Sequence, residues 1–216
     1  PEEWRDPRCA PGCLDSNPVH EDMKEFVEKL PAPVYNISIL TNLRHKIADI
    51  ASGDIFASHH RSVETLKQYC RVSLPQRFKT VIASCGGAPY DLNMIQSHKG
   101  LDFSFRAVAP GGRLFLFAEC ADGPGHDDFL PWFELKDLSE MTRALSEDYR
   151  IYRQTACAVR EKSLACEVRM KTRLAEQALG QMGISPFDRL PPDALGPETA
   201  VIPYAGLTLP ELNTTA

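Results

Sequence analysis

The sequence has no long apolar run: nothing in its 216 residues approaches the roughly 20 consecutive apolar residues that a membrane-spanning helix needs. The basic-then-apolar pattern of a secretion signal is absent from its first residues. Positive charge is not in excess either. Twenty-four Lys and Arg stand against 29 Asp and Glu, and a net charge of -5 argues against a nucleic-acid backbone as partner. These absences make a cytoplasmic protein without membrane or nucleic-acid partners the expectation. Several catalytic fingerprints are also missing. There is no G-x-G-x-x-G with a following acidic residue for a dinucleotide ribose, and no G-x-x-x-x-G-K-[ST] phosphate loop. There is no G-x-S-x-G nucleophile elbow and no H-E-x-x-H zinc motif. The seven cysteines are odd in number and scattered, and Cys9 and Cys13 have no second pair at zinc-finger spacing. Buried reduced thiols are therefore expected. Internal repeats and low-complexity segments are lacking. The chain opens on Pro1 without an initiator methionine, as a fragment, a processed product or an incomplete chain would.

What is present reads as a folded α/β protein. Hydrophobic residues at 43% and charged residues at 25% suit a globular core with a solvated surface. After an irregular lead-in, Asn17-Pro18 starts a helix over about 20–30, with Met23, Phe26, Val27 and Leu30 as its apolar face. Residues 34–40 alternate as a strand, and 46–51 form its partner across Asn42–His45. Gly53-Asp54 leads into a helix reaching about Arg71. A boundary near 72–77 divides the chain into residues 1–73, the incomplete end of an N-terminal domain, and residues 74–216, a C-terminal α/β domain.

Within the second part, residues 78–84 read as a buried strand, 92–108 as a helix, and 113–119 as a strand entered through Pro110-Gly111-Gly112. Helices are expected near 129–145 and 174–182, one or two strands within 151–169, and a last short strand at 201–203. Strands alternating with helices imply a mostly parallel sheet flanked by helices, Rossmann-like in outline. Phe103, Phe105, Phe115, Phe117 and Phe133 are expected in the core.

Ligands of open α/β sheets bind beyond the carboxyl ends of the strands, here the loops 85–91, 120–125 and 204–209. Gly86-Gly87 fits a tight strand-to-helix turn, or a backbone approach to an anion at the helix N-terminus. Gln96 and Lys99 stand three residues apart and share a helix face. They suit either a solvated surface or a carboxylate site, the ammonium supplying charge and the amide a donor. His60 and Glu64 share a helix face without a metal motif, and His20 suits a first helical turn.

Gly86-Gly87-x-Pro89-x-Asp91-x-Asn93, followed by Gln96-x-x-Lys99, resembles the nickel-dependent lactate racemase family. Pro110-Gly111-Gly112, Ala118-Glu119-Cys120 and Val201-Ile202-Pro203-Tyr204-Ala205-Gly206 extend the resemblance in family order. Asn17–Asp22 and Ala51–Asp54 resemble segments late in the family's N-terminal domain. The resemblance covers most of the chain and implies the C-terminal half of a 2-hydroxyacid racemase or epimerase. It implies a nickel pincer nucleotide attached through the N-terminal half, hydride abstraction and return at the α-carbon, and cofactor-synthesis proteins as partners. It places Gln96 and Lys99 on the substrate side, Lys99 engaging the carboxylate and Gln96 orienting it. The cofactor lysine, the nickel histidine and the acid/base histidines belong to the family's preceding half, so no residue here is assigned to catalysis or to metal. By itself the chain is expected to be inert; within a longer one it forms a wall of the cleft. The residue before the glutamine, often aromatic in this family, is Ile95, which bears on substrate choice. A non-catalytic α/β carboxylate-binding module remains the alternative, and homo-oligomer formation stays open.

Overall fold

The computed structural model describes residues 6–135 and 137–213. They form two compact units divided between Arg71 and Val72.

In the first unit, helix α1 (Pro18–Glu28) begins where the Asn17 side chain accepts hydrogen bonds from the backbone N–H groups of Val19 and His20. Proline at the first helical position loses no hydrogen bond that the helix would have used. Strands β1 (Tyr35–Thr41) and β2 (Ile47–Asp54) pair antiparallel, with Ile39 opposite Ile50. Asn42 closes the turn by accepting from the backbone of Arg44 and Lys46. Helix α2 (Ile55–Cys70) is capped by Asp54, which accepts from Phe56 and Ala57, and it packs on both strands. The face of β1 turned to α2 carries Asn36, Ser38 and Leu40, and Asn36 donates to Ser58 Oγ at 2.9 Å and to Ser38 Oγ at 2.8 Å. Tyr35, Ile37 and Ile39 consequently lie on the exposed face. The apolar face expected for α1 is exposed as well, Met23 at 64% and Phe26 at 68%.

The second unit is built on a parallel sheet of five strands in the order β7-β6-β5-β4-β8. These are β4 (Phe78–Ser84), β5 (Val108–Phe117), β6 (Glu167–Lys171), β7 (Ser185–Pro186) and β8 (Thr199–Ile202). A separate pair joins β3 (Arg71–Leu74) to β9 (Leu209–Leu212). Helices α3 (Met94–Phe105), α4 (Leu138–Glu147), α5 (Ile151–Ala165) and α6 (Glu176–Met182) complete the unit.

Side chains alternate across a strand. Val81, Ala83 and the following Cys85 therefore share one face, and Cys85 meets α3 through a bond from its thiol to the Ser97 carbonyl. Ile82 turns the other way, into a cluster with Phe115, Phe187 and Ala194. Val81, Leu114, Leu116, Met94 and Leu101 are all buried. Among the aromatics expected inside, Phe115 and Phe133 are buried, whereas Phe103, Phe105 and Phe117 are only partly so.

Three local expectations are corrected. Residues 151–165 are helical, and only 167–171 form a strand. The buried set Thr155, Ala156, Val159 and Arg160 follows helical spacing, which overrides the β-branched and aromatic residues around it. Pro110-Gly111-Gly112 lies inside β5, where the register with β4 shifts between Phe78 and Thr80. Gly112 is needed there because a Cβ would fall 2.9 Å from the carbonyls of Ala109 and Lys79. Finally, 129–145 is divided between a 3-10 turn at Pro131–Glu134 and α4, whose cap Asp137 accepts from Ser139. Among the described residues, no helix is long and apolar enough to cross a membrane.

Candidate functional site

The loops after β4, β5 and β8 come together at one end of the sheet, and their connections explain its shape. Asp91, buried beneath the β4 loop, accepts from the backbone N–H of Glu119 at 3.0 Å through Oδ2. Its carbonyl accepts from Cys120, and that of Leu92 accepts from Asp122. The β4 loop is thereby stitched to the β5 loop. Gly86 and Gly87 adopt φ values of 96° and 82°, which an L side chain rarely tolerates. Gly86 N–H donates to Ser84 Oγ at 3.1 Å.

The N-terminus of α3 is already occupied. Met94 and Ile95 donate their backbone N–H groups to the carbonyls of Gly123 and Pro124, and Gln96 donates to Asn93 Oδ1. Gly125 makes this fit, since a Cβ there would lie 2.8 Å from the Asn93 side chain. The glycine pair is thus a tight turn. An anion would find the first three donors of the helix spent.

Gln96 and Lys99 are brought together on α3. The Lys99 ammonium donates to Gln96 Oε1 at 3.0 Å, with Gln96 half-buried and Lys99 exposed. With the amide oxygen turned to the ammonium, the amide NH2 and the remaining ammonium protons are the donors this pair offers. A small carboxylate matches that set.

Between them in sequence, His98 turns to the other flank of the helix. Its Nδ1 contacts the Ile95 carbonyl, and burial holds the imidazole below its ordinary pKa despite that carbonyl and Asp102. Asp102 pairs with Lys162 of α5 at 2.9 Å, fixing this flank against its neighbour. Two thiols lie under the site. Burial, together with nearby Asp91, pushes Cys85 up to about 12, and Cys120 is raised by burial too. Both are packing groups rather than nucleophiles.

Two clefts adjoin these loops. One of about 450 Å³ lies where β4 and β8 end, lined by Ile82, Phe117, Val201, Pro203 and Tyr204. The other, about 570 Å³, is bordered by Asn93, Asp122, Gly125, His126 and Asp127. The His126 ring is stacked on Tyr152, with centroids 3.7 Å apart. Sequence reasoning passed over Tyr204, His126 and Asp91 as individual residues. Asp91 alone carried a signal, as the acid between a glycine turn and a helix cap.

His20 and His59 stack with centroids 5.5 Å apart, and Glu64 pairs with Lys67 at 2.6 Å rather than with His60. Among the described residues, no three His, Cys, Asp or Glu side chains gather as a metal site.

Residues 75–164 match the lactate racemase C-terminal domain. The lactate racemase of Thermoanaerobacterium thermosaccharolyticum is 33% identical over 144 residues, 66% of this chain and 33% of that protein. The lactate racemase of Lactiplantibacillus plantarum is 25% identical over 141 residues, 65% of this chain and 32% of that protein. The chain thus spans about a third of the length of these curated relatives. The lactate racemase apoprotein structure from T. thermosaccharolyticum superposes on 98% of the chain, with a TM-score of 0.85 and 25% identity. That superposition covers 53% of the apoprotein's chain. A Thermotoga maritima protein shares the fold at a TM-score of 0.67 and 13% identity, over 92% of this chain and 54% of its own. The chain belongs to the lactate racemase family and corresponds to its C-terminal part.

Proposed function

We propose that this chain is the substrate-binding C-terminal part of a lactate-racemase-like enzyme that inverts a 2-hydroxy acid at its α-carbon. The observation that carries the reading is the Lys99–Gln96 pair beyond the carboxyl end of β4, in a chain that belongs to this family. Lys99 holds the acid's carboxylate by charge and hydrogen bond, and the Gln96 amide turns the carboxylate so that the α-carbon faces the cleft. A charge-assisted hydrogen bond of this kind contributes about 1.5–3 kcal/mol where water is partly excluded.

In the same reading, a nickel pincer cofactor held by residues outside those described would supply hydride abstraction and return at that carbon. The described residues do not fit a nickel site of their own, since the clustered histidines are stacked and Glu64 is paired. Their part is to bind and orient the acid.

Lys99→Ala in the full natural protein tests the assignment. Turnover of the hydroxy acid should fall, or KM should rise by about tenfold or more, with thermal unfolding unchanged. Wild-type kinetics in that variant would remove Lys99 from the site. Native mass spectrometry without oxygen supplies the second check, since a nickel-and-sulfur adduct on the polypeptide is expected.

A further inference from the structure

We propose that Asn93 is a third substrate-binding residue, its side-chain amide donating to the α-hydroxyl oxygen of the acid that Lys99 and Gln96 hold by the carboxylate. The inference rests on the carboxylate-binding reading of that pair.

The two ends of the Asn93 amide are told apart by what they meet. Oδ1 accepts the backbone N–H of Gln96 at 2.9 Å, a bond that caps α3 and fixes which end is oxygen. Nδ2 is the free end, and among the described residues it donates to nothing. Asn93 is half-buried and borders the cleft of about 570 Å³. Gly125 keeps the amide uncovered there. A Cβ on that glycine would lie 2.8 Å from Asn93 Oδ1 and 3.2 Å from Nδ2, closing over both atoms. An oriented, unpaired amide open to a cleft is a donor available to a ligand oxygen.

Asn93, Gln96 and Lys99 follow one another at intervals of three, so they form one ridge along α3. The Asn93 amide lies against the backbone of Gln96, and the Lys99 ammonium reaches Gln96 Oε1 at 3.0 Å. The ridge therefore carries its donors in order: the Asn93 amide, the Gln96 amide and the ammonium. Charge decides which way along it an acid lies. The carboxylate belongs at the Lys99 end, because Asp122 and Asp127 border the cleft at the Asn93 end and repel an anion. Beside Asn93 stands a neutral substituent of the α-carbon. Of those substituents only the hydroxyl can accept from the amide, and in doing so its own proton stays available for transfer.

The test compares lactate with propionate, the same acid without its hydroxyl, by titration calorimetry on the full natural protein. Racemic lactate keeps turnover from adding net heat. Lactate should bind about fivefold or more tightly than propionate. Asn93→Ser keeps a capping oxygen and loses the amide, so it should lower the lactate-to-propionate ratio severalfold while propionate binding stays unchanged. Asn93→Asp also keeps the cap; it should lower the ratio as far, although its charge weakens both acids. Melting curves confirm that each variant is folded. Equal affinities in the unsubstituted protein would overturn the inference. So would a ratio that neither variant changes, since a residue that only caps the helix would move both acids alike. Lys99→Ala separates the two readings, because it should weaken both acids and preserve their ratio. Indifference of both acids to Lys99→Ala would sink the carboxylate reading and leave the Asn93 ratio to decide this one. No measurable binding of either acid would overturn both.

Discussion

Gly100 of α3 and Cys85 beyond β4 approach so closely that a Cβ on the glycine would lie 2.6 Å from the cysteine sulfur. Both residues are buried, and the thiol is tied to the Ser97 carbonyl. Gly100→Ala should therefore destabilise the second unit by about 1–2 kcal/mol. The overlap, about 1–3 kcal/mol, outweighs the better helix propensity of alanine, about 1 kcal/mol. In a Cys85→Ala background the sulfur is gone, and the same change should be neutral or stabilising. Denaturant melts of the four proteins check this, and additive effects would contradict the contact.

Removing the buried Asp91 carboxylate leaves the Glu119 N–H without its acceptor. Asp91→Ala should cost about 1–3 kcal/mol, and Asp91→Asn less, because an amide oxygen can still accept. Equal melting temperatures for the two variants would show that this bond does not hold the β4 and β5 loops together.

Gln96→Ala should separate binding from folding. Its partner Lys99 is exposed, so stability should change by no more than about 0.5 kcal/mol. Carboxylate affinity should fall severalfold, because the ammonium loses its orienting amide. Calorimetric titration with lactate, paired with a thermal melt, reads both quantities.

His98 makes stability depend on pH in a definite direction. Burial lowers its folded pKa below the ordinary value near 6.5; the Ile95 carbonyl and Asp102 oppose this, while Lys99 and Lys162 add to it. Below about pH 6.5 the unfolded chain takes up a proton that the folded chain resists, so stability falls as pH drops through that range. Above it this group contributes no slope. Between pH 7.5 and 5.5 the wild type should lose more stability than His98→Leu does. The comparison with that variant isolates His98 from His59, whose pKa is also lowered, mainly by burial. Identical slopes would mean that the imidazole is not held neutral by the fold.

Legibility in the sequence followed the physics of each segment. Residues 78–84 and Gly86-Gly87 announce a buried strand and a turn because a short apolar run and two glycines admit few other conformations. Gln96 and Lys99 could be paired in advance, since helical spacing alone puts them on one face. The strand pair β3 and β9 was not legible: four residues each, far apart in sequence, carry no period of their own. Tyr204 was hidden for a related reason. Its place depends on an absent side chain at Gly86, a relation between two distant loops that no local pattern records. The apolar stripe of α1 was visible, but periodicity does not say what covers it, and Met23 and Phe26 face solvent here.

The joining of β3 to β9 has a consequence for how the second unit can be re-engineered. The Asn213 N–H donates to the Leu74 carbonyl at 3.0 Å, so the segments where the chain enters and leaves this unit run side by side. Adjacent ends permit circular permutation. A short linker could join position 213 to 74, with new termini opened in an exposed stretch such as Gly196-Pro197-Glu198 ahead of β8. Such a permutant would place β8 at its front, beside the strand it must pair with, and turn the sheet's longest-range pairing into a local one.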